Sequence, residues 1–239
     1  MNRKNALIFI VMSPAMETVD YEIKKSFGIE RAVNITRDVT IKTYSNIKSD
    51  SDYMMMISYF FTKKFPDLRW LDPYEPGYLD VSNLSYGNAL IKSIEYAFKT
   101  GADKAVWVNS LCPFVDKNDV INAFSNIGEK QVVLGHAANG GLYMAGVSPH
   151  TYTVLSVNSV VSDLSFDETV ERIRRNKFVV FELEPRFIIK DDDSLKKWVE
   201  SPDFTIKSSS SESKARKKHK ETQNPETHQE NQPPQNSGV

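Results

Sequence analysis

Seven short apolar segments along the chain predict β-strands. The first, Ala6–Met12, is apolar at every position, which is typical of a strand buried on both faces of a parallel sheet. It ends at Ser13-Pro14, a dipeptide that favours a loop. The other segments that predict strands are 52–59, 68–71, 104–109, 131–134, 142–147 and 178–183.

Helical patterns separate these strands. An apolar stripe runs through residues 89–98 and ends at Gly101, a residue typical of helix C-caps. A second helix is predicted at 116–124, where the first turn is acidic. Ser165-Phe-Asp-Glu168 has the form of a capping box at the start of a third helix. A short closing helix is predicted at 194–199.

The segment 29–47 fits two structures. Its many β-branched residues favour a strand, but its apolar positions also fit one face of a helix, and we predict a helix. Strands then alternate with helices, which predicts a three-layer α/β/α sandwich with a mostly parallel sheet. Ligands of such sheets bind beyond the carboxyl ends of strands, where the strand order reverses. We therefore expect a site in the loops after Met12, Asn109 and Leu134.

Composition divides the 239 residues into a body and a tail. Residues 207–239 contain only two apolar residues, so we predict a disordered tail behind one domain at 1–206. The tail carries a net charge of +2 and the body −3, which argues against a general nucleic-acid-binding body. The basic cluster at 214–220 either keeps the chain soluble or attaches it to an acidic partner, nucleic acid or anionic membrane.

The single cysteine, Cys112, excludes a disulfide framework and a multi-cysteine metal site. No apolar run approaches the eighteen or so residues of a membrane span. We therefore expect a cytoplasmic protein without a transmembrane segment. Cys112 follows a buried strand and is expected to be core, because its thiolate would act as a nucleophile only beside a base such as His136 or His150.

Five motifs in chain order carry a resemblance to a known family. The most specific is Val133–Gly146, V-L-G-H-A-A-N-G-G-L-Y-M-A-G, which is similar to V-L-G-P-A-x-D-G-G-Y-Y-L-I-G. Together the motifs resemble bacterial glycosyltransferase-A-like proteins, kin to phospholactate guanylyltransferase and the molybdenum-cofactor nucleotidyltransferases. The other motifs are Ala6–Met12 with Ser13-Pro14, Tyr86–Leu90 with Ala97–Gly101, Asn109–Pro113, and Ile189–Leu195.

The resemblance implies a nucleoside triphosphate or nucleotide-sugar across the strand ends, with its phosphates gripped by a basic loop after the first strand. In that loop the family's lysine and arginine fall on Asp20 and Glu22, and its glycine falls on Glu17. The two reversals change the local charge by about four units, so we expect the loop to repel a triphosphate. Lys24 and Lys25 would partly compensate in a shifted register.

The resemblance also implies Mg²⁺ or Mn²⁺ held by aspartates. These fall on Leu111, on Asn139, and on Lys190 or, with a one-residue slip, on Asp191. Because Mg²⁺ prefers carboxylate oxygens, we expect no metal cofactor. The run Asp191–Asp193 either complements the dipole of the closing helix or binds a metal.

The chain retains the glycines of the family motifs but lacks their charged residues. This combination favours a non-catalytic relative of the family, a binding or interaction protein for which no catalytic residue is assigned. The alternative is a metal-independent glycosyl- or nucleotidyltransferase in which Lys190 supplies the cation. Asn139-Gly140-Gly141 is either a tight turn or part of the site. A nucleotide or nucleotide-sugar is the expected ligand, and the predicted site residues are Ser13, Gly87, Asn88, Asn109, Ser110, Asn139, Gly140, Gly141 and Lys190.

Overall fold

A computed structural model describes residues 4–49, 51–156 and 166–202. The predicted tail at 207–239, with its basic cluster, lies outside the described residues. So does Ser165, the first residue of the predicted capping box. These features stay predictions.

Within the described ranges, seven strands form one sheet and seven helices accompany it. No helix there is long and apolar enough to cross a membrane. The strands are β1 (Asn5–Met12), β2 (Met54–Phe60), β3 (Tyr78–Asp80), β4 (Lys104–Val108), β5 (Gln131–Ala137), β6 (Leu142–Val147) and β7 (Val179–Arg186). The helices are α1 (Tyr21–Phe27), α2 (Ile29–Ile47), α3 (Tyr86–Lys99), α4 (Lys117–Asn126), α5 (Thr153–Ser156), α6 (Phe166–Arg175) and α7 (Asp192–Val199).

The strand order is β3-β2-β1-β4-β6-β5-β7, and only β6 runs antiparallel to its neighbours in this described sheet. From β1 the chain moves outward to β2 and β3, and then crosses to β4 on the other side of β1. The strand order therefore reverses between β1 and β4, whose carboxyl ends meet at the same edge.

Helices cover both faces of the sheet. Successive side chains of a strand point to opposite faces. Ile8 accordingly packs in a core with α3, α5 and α6, whereas Phe9 packs in a core with α2 and α4. A third, smaller cluster joins α1 and α2 to α7. The predicted three-layer α/β/α sandwich with a mostly parallel sheet is confirmed.

The local predictions differ from the structure at residues 68–71. This segment is a turn, closed by the Leu71 amide donating to the carbonyl of Leu68 at 2.9 Å, and the third strand of the sheet is Tyr78–Asp80. Leu68 and Leu71 are apolar because they fill the core beneath a loop. The ambiguous segment 29–47 is the helix α2, as predicted.

The carboxylate of Asp72 anchors the long loop between β2 and β3 to α2. The buried Asp72 accepts hydrogen bonds from the Tyr44 hydroxyl at 2.8 Å and the Lys48 ammonium at 2.5 Å. The hydrogen bond from Lys48 holds the pKa of Asp72 below its usual range. Burial and the same carboxylate raise the pKa of Tyr44 to about 12. The loop is therefore anchored by a charged network that depends on the ionised state of Asp72.

We expect Asp72→Asn to lower the free energy of unfolding at pH 7 by about 2 kcal/mol, because hydrogen bonds to charged groups contribute about 1.5–3 kcal/mol. The pKa of the carboxyl is lowered by folding. Its stabilisation is thus present above the unfolded pKa of about 3.9 and is lost as the pH falls through the folded value. Urea unfolding should show that the difference in free energy of unfolding between wild type and variant is smaller at pH 3 than at pH 7. Asp38→Asn, which removes an exposed pair with Arg37, is the control and should cost under about 1 kcal/mol. An equal loss at both pH values would contradict this account.

Candidate functional site

A cavity of about 240 Å³ opens at the carboxyl ends of β1 and β4, where the strand order reverses. This is the place at which the fold class predicts a ligand site. Two of the predicted site residues, Asn109 and Ser110, lie in its wall. The described lining residues are Met12, Thr18, Asp20, Thr36, Tyr86, Trp107, Asn109, Ser110 and Leu111.

The chain after β1 folds over one side of the cavity. The Thr18 hydroxyl donates to the carbonyl of Ser13, which closes a tight turn. Ser13 itself is fully buried beneath this turn and is not among the described lining residues. Asp20 then caps α1, accepting a hydrogen bond from the Glu22 amide at 2.8 Å. Where the resemblance implies a basic phosphate loop, this chain has a compact acidic turn and a short helix.

Helix α2 contributes a hydroxyl to the wall. Thr36 is 6% exposed, and its Oγ1 has no hydrogen-bond partner among the described residues. A buried hydroxyl left without a partner costs about 1–3 kcal/mol. Thr36 is therefore a polar group in the cavity wall whose hydrogen-bonding capacity the described chain does not use.

Two aromatic side chains form the opposite wall. The indole Nε1 of Trp107 donates to the Tyr86 hydroxyl at 3.3 Å, and the two rings meet edge to face. Phe60 stacks on Tyr86 with ring centroids 6.4 Å apart. Burial raises the pKa of Tyr86, so the phenol is neutral at physiological pH. Because its oxygen accepts from the indole, its own proton is available to a ligand.

Residues 109–111 close the cavity after β4. The Asn109 amide donates to the carbonyl of Tyr143 at 2.8 Å, and its side-chain oxygen accepts from the Leu111 amide at 2.9 Å. The carboxamide nitrogen of Asn109 thus remains as a donor. The carbonyl of Leu111 accepts from the Ile189 amide at 2.8 Å, which brings the segment after β7 alongside this turn.

Asn139 and Lys190 meet at the turn between β5 and β6. The Asn139 side chain donates to the carbonyl of Ile188 at 2.7 Å and accepts from the Ile188 amide at 3.2 Å. The Lys190 ammonium donates to the carbonyl of Asn139. Gly140 and Gly141 have φ angles of 101° and 85°, which favour glycine. Asn139, Gly140 and Gly141 thus form a tight turn bound to the segment after β7, to which Lys190 belongs, and none of these four predicted residues is among the described lining residues of the cavity.

Gly87 and Asn88 lie in the first turn of α3, next to the lining residue Tyr86. Asn88 is exposed, and its amide donates to the N-cap side chain of Ser85 at 3.4 Å. Of this motif, Tyr86 is among the described lining residues of the cavity, whereas the predicted residues Gly87 and Asn88 are not.

The positions at which the resemblance implies metal ligands do not fit a divalent ion. Leu111 offers hydrocarbon, and the Asn139 amide is already bound to Ile188. The Asp191 carboxylate accepts from the Ser194 amide at 2.8 Å and caps α7. Across residues 4–49, 51–156 and 166–202, no three His, Cys, Asp or Glu side chains lie close enough together to hold a metal ion between them. Of the positions at which the resemblance implies metal ligands, Asp191 alone carries a carboxylate, the group that Mg²⁺ prefers, and that carboxylate is engaged in capping α7.

The prediction that Cys112 belongs to the core is confirmed. Its thiol donates to the carbonyl of Phe187 at 3.3 Å, and burial raises the pKa of the thiol. His136 stacks on Phe166 with ring centroids 4.7 Å apart, and His150 is exposed. A neutral, buried thiol is not a competent nucleophile.

Sequence reasoning did not single out four residues that line the cavity, Thr18, Thr36, Tyr86 and Trp107. Thr36 lies on the buried face of α2 and Trp107 in an apolar strand, patterns that indicate packing. The available signal was the position of Trp107 two residues before Asn109, at the end of a strand beside the switch point.

No protein-family model and no curated protein sequence matches this chain. Solved structures do match. A proposed nucleotide-diphospho-sugar transferase from Desulfovibrio desulfuricans G20 superposes with a TM-score of 0.70 at 19% identity, over 91% of this chain and 96% of that one. A cytidylyltransferase from Leptospira borgpetersenii gives 0.54 at 11% identity, over 94% and 99%. A Methanothermobacter nucleotidyl transferase gives 0.52 at 9% identity, over 81% and 95%. The chain therefore has the fold shared by nucleotide-diphospho-sugar transferases and nucleotidyltransferases, as its motifs predicted.

Proposed function

We propose that this chain is a non-catalytic binding protein on a transferase fold, and that its cavity holds the nucleoside or sugar part of a ligand but not its phosphate groups. The composition of the cavity supports this. Of its described lining residues, Asp20 is the only one with a charged side chain. Two like unit charges 4 Å apart near a protein surface repel by about 4 kcal/mol before screening by salt. A phosphate group would meet a carboxylate there, and no described lysine or arginine in the wall.

The same wall offers little to a transfer reaction. Phosphoryl and glycosyl transfer need fixed positive charge or strong donors where negative charge develops on the leaving phosphate. Leu111, where the resemblance implies a metal-binding aspartate, supplies neither. We therefore assign no catalytic residue, and we place the protein in the cytoplasm as part of the same proposal.

One observation favours the second candidate, a metal-independent glycosyl- or nucleotidyltransferase. The positive charge of Lys190 lies beside the turn at Asn139–Gly141, in the segment that hydrogen-bonds to Leu111. However, the Lys190 ammonium already donates a hydrogen bond to the carbonyl of Asn139. Lys190 therefore has a structural role in holding the turn, which argues against this second candidate.

Titration calorimetry on the full-length protein separates the two functions. We expect guanosine or cytidine triphosphate to bind with a Kd above about 1 mM, with or without Mg²⁺, because the cavity repels phosphate. Lys190→Ala should leave binding of nucleosides and sugars without phosphate groups unchanged. A Mg²⁺-dependent Kd below about 100 μM for either triphosphate would contradict the proposal. Turnover of a nucleotide-sugar that Lys190→Ala abolishes would favour the transferase instead.

A further inference from the structure

We propose that the cavity binds a single polyhydroxylated ring that bears a protonated amine, the chemistry of an amino sugar. Asp20 pairs with the amine, and Thr36, Tyr86 and Asn109 hydrogen-bond to the ring. This inference rests on the function proposed above and narrows its ligand.

The size of the cavity sets the number of rings. Its volume of about 240 Å³ lies below the range of about 300–1,000 Å³ that is usual for drug-sized ligands. One six-membered ring with its substituents is therefore a suitable occupant, whereas a whole nucleotide-sugar would extend out of the cavity.

The charged side chain in the cavity wall determines the sign of the charge that we expect on the ligand. Asp20 lines the cavity, and only one of its carboxylate oxygens has a partner among the described residues, the Glu22 amide. Glu17 and Glu22 on the same stretch of chain, and Lys24 and Lys25 after them, are not among the described lining residues. Asp20 is therefore the charged group that a ligand in the cavity meets: it attracts a cation, and its open oxygen can accept a charge-assisted hydrogen bond.

The hydroxyl groups of the wall are an independent indication of a ligand. Thr36 is more than nine-tenths buried, lines the cavity and has no hydrogen-bond partner in the described chain. The Tyr86 hydroxyl accepts from Trp107 and retains its own proton for donation. Ser110, 7% exposed, adds a third hydroxyl to the wall. Because hydroxyls both donate and accept, such a wall matches a ring that carries hydroxyls of its own.

The test compares three sugars on the full-length protein by calorimetry at pH 6, where a primary amine is protonated. The probes are D-glucosamine, D-glucose and N-acetyl-D-glucosamine. They differ in the substituent on one ring carbon, and that substituent is charged only in D-glucosamine. We expect D-glucosamine to bind about tenfold more tightly than either neutral sugar, as one charge-assisted contact would provide.

Two matched variants test whether Asp20 causes the preference for D-glucosamine over the neutral sugars. Asp20→Asn keeps an N-cap for α1, since asparagine caps as well as aspartate, and should bring the affinity ratio close to one. Glu17→Gln removes the same charge from the same stretch of chain at a residue outside the described lining, and should retain most of the preference. Equal affinity for the three sugars, a preference that survives Asp20→Asn, or no binding of D-glucosamine at about 10 mM would each overturn the inference.

Thr36→Val tests the hydroxyl wall. The valine has the shape of threonine without the unpartnered hydroxyl, so we expect the melting temperature to rise by about 2–4 °C while D-glucosamine binds several-fold more weakly. Thr36→Ser should restore binding. Unchanged affinity in Thr36→Val would remove this residue from the site. Equal binding of charged and neutral sugars overturns this inference and leaves the proposed function standing, whereas tight Mg²⁺-dependent binding of a triphosphate overturns the proposed function itself.

Discussion

Gly135→Ala is expected to lower the free energy of unfolding by about 3 kcal/mol, the largest stability loss that we predict for a single methyl group. A Cβ at Gly135 in β5 would lie 2.5–2.8 Å from three atoms of the Tyr143 ring. That ring is fully buried, and its hydroxyl donates to the carbonyl of Glu184 at 2.8 Å. Overpacking a core usually costs about 1–3 kcal/mol, and shifting the ring would also break a hydrogen bond worth about 1 kcal/mol.

Guanidinium unfolding followed by circular dichroism measures this loss. Gly77→Ala is the matched control, because a Cβ there would meet nothing within 4 Å and its φ angle is not in the left-handed region. We expect the control to be neutral or slightly more stable, since alanine restricts the unfolded chain. Equal stability of the two variants would show that the sheet gives way around Tyr143 at little cost.

Asp20→Lys, Glu22→Arg and Leu111→Asp together are expected to tighten the binding of guanosine triphosphate with Mg²⁺ by about a hundredfold. The first two changes replace repulsion by attraction at the cavity mouth, and exposed charge contacts are worth up to about 1 kcal/mol each. The third places a carboxylate beside Asn109, where it offers Mg²⁺ a hard ligand next to the phosphates. Activity need not return, because Lys190 still holds the turn at Asn139.

Calorimetry with and without Mg²⁺ resolves the contributions. The double variant Asp20→Lys, Glu22→Arg should gain affinity without Mg²⁺ dependence, and it remains informative if Leu111→Asp destabilises the third core cluster. Glu129→Lys with Glu182→Arg makes the same charge change at exposed positions outside the cavity and should gain little. If the folded triple variant binds no better than this control, charge alone does not exclude the triphosphate.

The sheet could be predicted from the sequence because its signals are local. Ala6–Met12 is apolar throughout since β1 is paired on both sides and covered by helices on both faces. The turn at Asn139-Gly140-Gly141 requires left-handed φ angles at both glycines, so the motif keeps its glycines. The helix at 29–47 was predictable because Thr40, Tyr44 and Ile47 recur with a helical period, and all three are buried.

The contacts of the site could not be predicted because they depend on distant partners. Thr36 has the same pattern as a core threonine, and only the tertiary structure places it in a cavity wall with a hydroxyl that has no described partner. The motif predicted Asn139 and Lys190 as ligand contacts, yet they bind Ile188 and each other across residues far apart in sequence. At 68–71 the apolar residues serve a loop that is anchored by Asp72, a tertiary contact that no local pattern shows.

The single antiparallel strand has a consequence for the order in which the molecule folds. β5 and β6 are joined through residues 138–141, whereas β1 and β2 are separated by residues 13–53. Closing a short loop costs less chain entropy, so we expect this hairpin to form early and the pairing of β1 with β2 and β4 to form later. In the described sheet β5 and β7 reach β4 only through β6. The β4–β6 pairing is therefore the step that joins two folding units, and native-state hydrogen exchange should protect its amides together with those of β1.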